Sequence, residues 1–420
     1  MSRQALGSQF ESREGKIAGE RVVVFSEVFH PDTISTAFYM TKIAGGLARE
    51  FSVEVVTAQM AGGGVEDPAA VAGIRIHRCA AAGSTKKGLL ARIATAGMFC
   101  LAAFWRGLFR VRKGDVVFTV TNPPLLPYVA AWVARCKSAR LVLLVHDVYP
   151  EVLAATGMLR RGSSVYNLLG MLARWLLKRT DCVVVIGRDM EKLLHAKGCP
   201  ATRLRTIPNW AETDLIPVVA KQDNRWLIQL GLTKSFVVLY AGNSGRTHDV
   251  EVILGAARLL KSERSLHFLI AGFGRRMTEL QTAVRRESLG NISVEPFAFP
   301  RSEQVQTLSA GDIALITFVP GMAGVSVPSR MYNIMAAGRP IIAVADAESE
   351  LACVVMEEAI GWVVPPGDAC GLANAVLEAR KNPEQVTQMG ARAARVAREK
   401  YSLELALEGY RAAVRSVTAN

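Results

Sequence analysis

Short β-branched runs alternate with helical stretches from Arg21 almost to the C-terminus, and this alternation limits the possible folds more than any other feature. Candidate strands in the first half are 21–25, 53–57, 74–77, 115–119, 140–146 and 181–186. Several are continuous apolar runs, as in parallel strands covered on both faces. Helical spacing fills the intervals at 36–50, 88–111, 125–138, 163–179 and 188–197. Strands alternating with helices predict an α/β fold with a doubly wound parallel sheet.

The pattern breaks at 207–235, which holds two prolines, a charged stretch and no clear strand. It restarts with strands at 236–241, 266–271, 292–295, 312–317, 340–344 and 360–364, then an Ala-rich helical stretch at 370–416. A chain of 420 residues is too long for one ordinary core and suits two. The expected organisation is a disordered tail at 1–20, a Rossmann-like domain at 21–206, a linker at 207–235, a second Rossmann-like domain at 236–400 and a last helix at 401–420.

Half the residues are hydrophobic and 21% are charged, a globular composition. The seven cysteines are scattered with no CxxC pair. That argues against a disulfide framework or structural zinc and fits a reducing cytoplasm. Residues 1–20 have no apolar h-region and do not read as a signal peptide. The net charge of +13 is unevenly spread: up to Leu215 there are 28 basic and 17 acidic residues, and beyond it 22 and 20. The first half is therefore expected to meet something anionic.

Residues 86–113 supply a candidate for that contact. An apolar stretch of 13 residues, Ile93–Trp105, is flanked by Lys86, Lys87 and Arg92 on one side and Arg106, Arg110, Arg112 and Lys113 on the other. It is short of the roughly 20 residues needed to span a bilayer. Two readings remain: a helix lying on anionic lipid, or a sheet-packing helix with basic ends. Nucleic acid is not expected as a partner, because no nucleic-acid motif is present.

Three turns in the second half point to a phosphate ligand. YAGNSGR at 240–246 follows a strand, and Gly242, Asn243, Ser244, Gly245 and Arg246 form a turn whose N–H groups, with those of the next helix, can face an anion. Gly272, Phe273 and Gly274 form a second turn at the same sheet edge. Ser326, Pro328, Ser329, Arg330 and Asn333 form the third, where small hydroxyls, a helix start and a guanidinium suit a diphosphate. Glycine-rich turns are also common structural features of such sheets.

In the first half, strand 140–146 runs into HDVYPE, placing His146, Asp147 and Glu151 at a carboxyl edge. His146 fits a base, a hydrogen-bond donor to a sugar, or a ring that shapes the loop. Asp147 fits chemistry, turn capping or orientation of a neighbour. The polar loop after the first strand offers His30, Ser35 and Thr36 to an acceptor. There is no D-x-D pair, GxxxxGK[ST], HExxH or GxSxG, and no early GxGxxG. No metal site or cofactor is expected, and dehydrogenase and ATPase readings lose support.

From Val22 to about Tyr410 the chain resembles the retaining, metal-independent glycosyltransferases of family 4, with the GT-B fold. Its nearest resemblance is to bacterial surface-polysaccharide enzymes with a VPSK or VPSR loop. HDVYPE, VIGRDMEKLL (185–194), IPNWAETD (207–214), YAGNSGR, SAGDIALI (309–316), VPSRMYNIMAAGRPIIA (327–343) and GWVVPPGD (361–368) carry it. The resemblance implies two Rossmann-like domains with parallel sheets facing a central cleft, and a last helix crossing back to the first domain. It implies a nucleotide diphosphate sugar as donor on the second domain and a saccharide acceptor, lipid-linked through polyprenyl diphosphate, on the first. His146, Asp147 and Arg330 are the catalytic candidates and Glu151 joins the acceptor set.

Two departures accompany the resemblance. The family often has two glutamates eight positions apart, where this chain has Val325 and Asn333. It often has Arg and Lys in the loop where Asn243 and Asp249 stand. Ser326–Arg330 are expected to take over the diphosphate, with Glu348 and Glu350 as candidate replacements for the ribose contact. The resulting expectation is a cytoplasmic glycosyltransferase, peripheral on the inner membrane face through 86–113. Two alternatives stay open: a relative such as a nucleotide-sugar 2-epimerase, and a catalytically silent nucleotide-binding scaffold of a polysaccharide assembly complex.

Overall fold

The computed structural model describes residues 20–59, 71–79, 89–211, 213–295 and 303–418. Residues 1–19 of the expected tail and Lys86, Lys87 and Gly88 of the basic segment lie outside them. Seven strands form the first sheet: β1 (Arg21–Phe25), β2 (Ser52–Ala58), β3 (Ile74–Cys79), β4 (Val116–Val120), β5 (Arg140–Val145), β6 (Cys182–Val185) and β7 (Leu204–Thr206). All pairings are parallel, in the order β3-β2-β1-β4-β5-β6-β7. Six form the second: β8 (Phe236–Ala241), β9 (Leu266–Ala271), β10 (Ile292–Glu295), β11 (Ile313–Thr317), β12 (Ile341–Val344) and β13 (Gly361–Val364). They are also parallel, in the order β10-β9-β8-β11-β12-β13. These are two Rossmann-like sheets of one α/β chain.

The apolar runs explain the sheets. Val22, Val23, Val24 and Phe25 are fully buried, as are Phe268, Leu269, Ile270 and Ala271, which requires helices on both faces. Strand β7 is an addition to the sequence reading. Its three residues, Leu-Arg-Thr, carry no apolar run and are held by pairing with Val183–Val185. The helical stretch expected at 370–416 is three helices, Ala369–Lys381, Pro383–Lys400 and Leu403–Thr418. Pro383 opens the second, since it lacks the N–H that a continuing helix would need.

The stretch between β7 and β8 is anchored. Trp210 is fully buried, with its ring 4.6 Å from that of Tyr39 and 6.2 Å from that of Tyr410. Farther on, Asn224 caps a short helix, Arg225–Leu230, by accepting from Leu227 N at 3.0 Å. The last helix returns to the first sheet and lies against helix Ser35–Ala48. Gly46 permits the approach: a Cβ there would stand 2.6 Å from Leu407 Cδ2. Exposed pairs Arg49–Glu404 and Arg415–Glu50, both 2.8 Å, flank the contact. Such pairs are worth up to about 1 kcal/mol, so the apolar contact dominates.

Candidate functional site

In the second sheet, β8 and β11 are neighbours whose onward connections run in opposite directions. Open α/β sheets bind ligands at the crevice this creates beyond the carboxyl ends of the strands. The turn after β8 forms one wall and the segment after β11 the other. They are joined where Val319 N donates to Thr247 O at 3.0 Å.

The glycine turns after β8 and β9 interlock. Gly242 and Gly272 have φ of 135° and 147°, conformations that L side chains rarely adopt. A Cβ on Gly272 would lie 2.0 Å from Gly242 O. Backbone bonds from Gly242 N to Ala271 O at 2.9 Å and from Ser244 N to Phe273 O at 2.8 Å complete the join. Gly274 backs onto Asn243 and Ser244, where an added Cβ would meet Oδ1 and Oγ at 2.8 Å. Thus Gly242, Asn243, Ser244, Gly245, Gly272, Phe273 and Gly274 form one structure, with Asn243 and Phe273 exposed at its rim. Arg246 is exposed.

Arg330 is laid against this unit. Ser329 is the N-cap residue and Arg330 the first residue of helix Arg330–Ala336. The guanidinium donates to Ala241 O at 3.2 Å and to Asn243 O at 3.0 Å, and stacks over the Tyr240 ring at 4.9 Å. A side chain on Gly242 would press on it at 3.1 Å. Among the described residues Arg330 has no carboxylate partner, so its positive charge stands uncompensated at the crevice. His248 takes its third bond, with Nε2 2.8 Å from Nη2, while Nδ1 lies 2.8 Å from Thr317 O. Arg276 reaches the same loop through His248 O at 2.9 Å.

One expectation is corrected here. The helix after β8 begins at Glu251, and Asp249 Oδ1 accepts from Glu251 N at 3.1 Å and Val252 N at 3.2 Å. The side chain caps the first turn, so those N–H groups are already occupied and do not face a phosphate.

The first domain meets the crevice through HDVYPE. Asp147 forms an isolated antiparallel bridge with Ser326, and Val148 N donates to Val325 O at 2.9 Å. Burial pushes the Asp147 carboxyl above its ordinary value, and a hydrogen bond with Ser326 pulls it back. The backbone of His146 is fixed by Thr121 Oγ1 at 3.0 Å, and its ring lies edge-on to Tyr39 at 6.4 Å. His146 Nε2 is buried with no hydrogen-bond partner among the described residues. Burial lowers its pKa to about 4, so the ring is neutral at neutral pH.

The other candidates divide. Ser35 and Thr36 open helix Ser35–Ala48, which also carries Tyr39, and Asn122 Nδ2 lies 3.5 Å from Thr36 Oγ1. His30 is held at the same edge, its N–H donating to Thr41 Oγ1 at 3.1 Å. Glu151 faces elsewhere: its Oε1 pairs with Lys197 and accepts from Tyr166 OH at 3.3 Å. Pro328 is buried and its carbonyl accepts from Met331 N at 3.0 Å, starting the Arg330 helix. Asn333 is half-buried in that helix. Glu350 is buried and committed to Arg188, with Oε2 3.0 Å from Nε, while Glu348 is exposed.

Two family models match in tandem: a glycosyl transferase 4-like domain over residues 36–210 and glycosyl transferases group 1 over 235–382. The protein named Probable glycosyltransferase WbjE from Pseudomonas aeruginosa is 34% identical over 400 residues, covering 94% of this chain and 98% of its own. This chain belongs to the glycosyltransferases. The amylovoran biosynthesis glycosyltransferase AmsK of Erwinia amylovora is 23% identical over 206 residues, 48% of each chain. HepE of Anabaena, solved in complex with UDP and glucose, matches the fold of this glycosyltransferase with a TM-score of 0.70. The identity is 15%, with 96% of this chain and 100% of that one covered. The two facing sheets are thus the GT-B fold.

Sequence reading of the glycosyltransferase missed His248 and Arg276. The only available signal was position, a histidine and an arginine just beyond two glycine turns. The role of His248 comes from contacts with Thr317 and Arg330 that are remote in sequence, and that of Arg276 from its bond to His248 O.

Proposed function

We propose that the chain transfers a glycosyl group from a nucleoside diphosphate sugar to a lipid-linked saccharide acceptor in polysaccharide biosynthesis. The uncompensated Arg330 guanidinium, held on interlocked glycine turns at the switch point of the second sheet, carries this reading. A diphosphate gains negative charge as the glycosyl bond breaks, and a fixed guanidinium beside free loop N–H groups stabilises that charge. The loops at Gly242–Gly245 and Gly272–Gly274 and the segment Ser326–Arg330 bind the donor, and Asn333 offers an amide to its hydroxyls. His30, Ser35 and Thr36 bind the acceptor. Neutral His146 hydrogen-bonds the acceptor hydroxyl, and Asp147 sets the HDV turn against Ser326.

The reaction proceeds with retention and without a metal, as in family 4 enzymes of the VPSK or VPSR type. The departing diphosphate takes the acceptor proton on the face from which it leaves. The names of the relatives support the polysaccharide assignment, and the UDP complexes of HepE support the donor class. The protein works at the cytoplasmic membrane face, where a polyprenyl diphosphate acceptor resides, and segment 86–113 meets the anionic lipid.

Thermal shift with UDP, GDP, ADP and dTDP, and then their sugars, tests the donor. One nucleotide is expected to raise the midpoint in proportion to RT ln(1 + [L]/Kd), and Arg330→Ala is expected to shrink that rise markedly. No response to any nucleotide overturns the reading. Turnover of the donor sugar without acceptor would indicate an epimerase.

A further inference from the structure

Helices Leu89–Arg110, Leu126–Lys137 and Ser164–Arg179 lie side by side in one layer on the first sheet. Where the first two meet, a Cβ on Gly107 would be 3.1 Å from Val133 Cγ1. Where the second and third meet, the Trp132 and Trp175 rings are 6.0 Å apart. Each helix is apolar toward the sheet. Phe99 and Ala103 are fully buried, and so, nearly, are Leu176 and Leu177.

The outer faces are apolar too. Leu101, Trp105 and Phe109 follow one another at four-residue spacing on the first helix, and Phe109 is 82% exposed. On the third, Val165, Leu168 and Met171 line the outer side, each more than half exposed (55%, 51% and 54%). Trp132 on the middle helix, 52% exposed, bridges them. A soluble helix normally turns charge outward, so three adjacent helices doing the opposite mark an interaction surface.

Charge identifies the occupant. The three helices hold 22, 12 and 16 residues, and among all of them there is no Asp or Glu. Their eight basic residues include Arg106, Arg110, Lys178 and Arg179. Arg179 lies over the Trp175 ring at 4.6 Å, the pairing of an interfacial tryptophan with a cation. Exposed aromatic and aliphatic side chains on helices whose only charged residues are basic suit a bilayer with anionic headgroups. No described helix is long and apolar enough to cross a membrane, so the contact is with its surface.

We infer that this three-helix face is a single membrane-docking surface that sinks into an anionic lipid leaflet, with Ser164–Arg179 contributing as much as Leu89–Arg110. The inference deepens the membrane-facing reading above, which gave the contact to 86–113 alone. The face also reaches the cleft. At its near end, Arg161 Nη2 lies 3.6 Å from where a Gly321 side chain would begin. Docking would therefore hold the crevice beside the lipid surface.

Co-sedimentation of the full chain with vesicles of three parts phosphatidylcholine to one part phosphatidylglycerol tests this. Leu168→Ser with Met171→Ser, and separately Leu101→Ser with Phe109→Ser, are each expected to lower the partition coefficient by about tenfold or more. Lys178→Glu with Arg179→Glu should reduce binding to these vesicles in the same way. Pure phosphatidylcholine should bind weakly throughout. All these side chains are at the surface, so far-UV dichroism should be unchanged. The thermal shift with whichever nucleotide stabilises the wild type reads the donor site separately and should be unaffected.

Wild-type partition unaltered by the Leu168–Met171 pair would overturn the shared face, and absence of partition would overturn membrane docking. A dimer in sedimentation velocity that these same substitutions dissolve would make the face a self-interface and also overturn it.

Discussion

His248 Nε2 accepts a hydrogen bond from Arg330 Nη2 at 2.8 Å, while the Nδ1 proton of the same ring is donated to Thr317 O at 2.8 Å. The second bond fixes the tautomer that the first requires. Burial, then the adjacent Arg330 charge, lower the His248 pKa to about 3. A histidine with a depressed folded pKa stabilises the fold fully above its unfolded pKa of about 6.5, and that stability is lost as pH falls toward the folded value. His146, at about 4, acts in the same direction. Urea unfolding should therefore show falling stability from pH 6.5 to 4.5. His248→Asn can still donate to Thr317 from the position of Nδ1 and does not titrate, though its amide stops short of the Nε2 position that faces Arg330. It should match wild type at pH 7 within about 1 kcal/mol and show a shallower acid slope. Equal slopes would remove His248 from the account.

Arg330 is expected to dominate nucleotide affinity. Losing charge-assisted hydrogen bonds costs about 1.5–3 kcal/mol, or roughly tenfold to a hundredfold in Kd. Arg330→Ala should show this by calorimetry with the nucleotide that stabilises wild type. Arg330→Lys should lose part of it, because an ammonium cannot meet Ala241 O, Asn243 O and His248 Nε2 in the planar geometry of a guanidinium. Wild-type affinity in Arg330→Ala would reject the donor assignment.

The interlock of the two glycine turns predicts unequal responses to the same change. Gly272→Ala places a methyl group where Gly242 O stands, at 2.0 Å, on a backbone with φ of 147°. A carbonyl cannot rotate away as a side chain can, so a loss of at least about 2 kcal/mol is expected in urea unfolding. Gly245→Ala meets nothing within 4 Å and should be nearly neutral. Similar losses for both would mean that the turns separate readily.

These contacts mark what the sequence can show. Strands such as 236–241 and 266–271 were legible because a continuous apolar run needs both faces covered. β7 was not, because three residues without such a run owe their conformation to a neighbour. The glycine turns were legible by composition, whereas their interlock is a tertiary property. Arg330 stood out as a cation at a helix start, but His248 gained its role only through Thr317, which lies 69 residues away. Asp249 stands in the sequence as a departure from a basic position, and its capping geometry has no signature beyond its place before the helix. Segment 86–113 left two readings, a helix lying on anionic lipid or a sheet-packing helix with basic ends, because its helix is apolar on both sides. One of those sides does pack on the sheet.

The join between the domains gives the last prediction. Asp189, at the start of helix Arg188–Ala196, accepts from Gly324 N at 2.8 Å and Glu350 N at 2.9 Å through Oδ2, and from Met190 N at 2.7 Å through Oδ1. In return Glu350 Oε2 accepts from Arg188 N at 2.8 Å. Both carboxylates thus bind backbone of the opposite domain beside the Val325–Ser326 segment that meets HDVYPE. An amide at 189 has one oxygen for three donors, and either orientation sets an N–H against another N–H. Asp189→Asn should therefore cost about 2–3 kcal/mol despite its near-identical shape. Asp189→Ala removes all three bonds, two of which cross between the domains, so small-angle scattering of that variant should show a larger radius of gyration while the second domain still binds nucleotide. A stability change under about 0.5 kcal/mol would mean that the cleft is held together elsewhere.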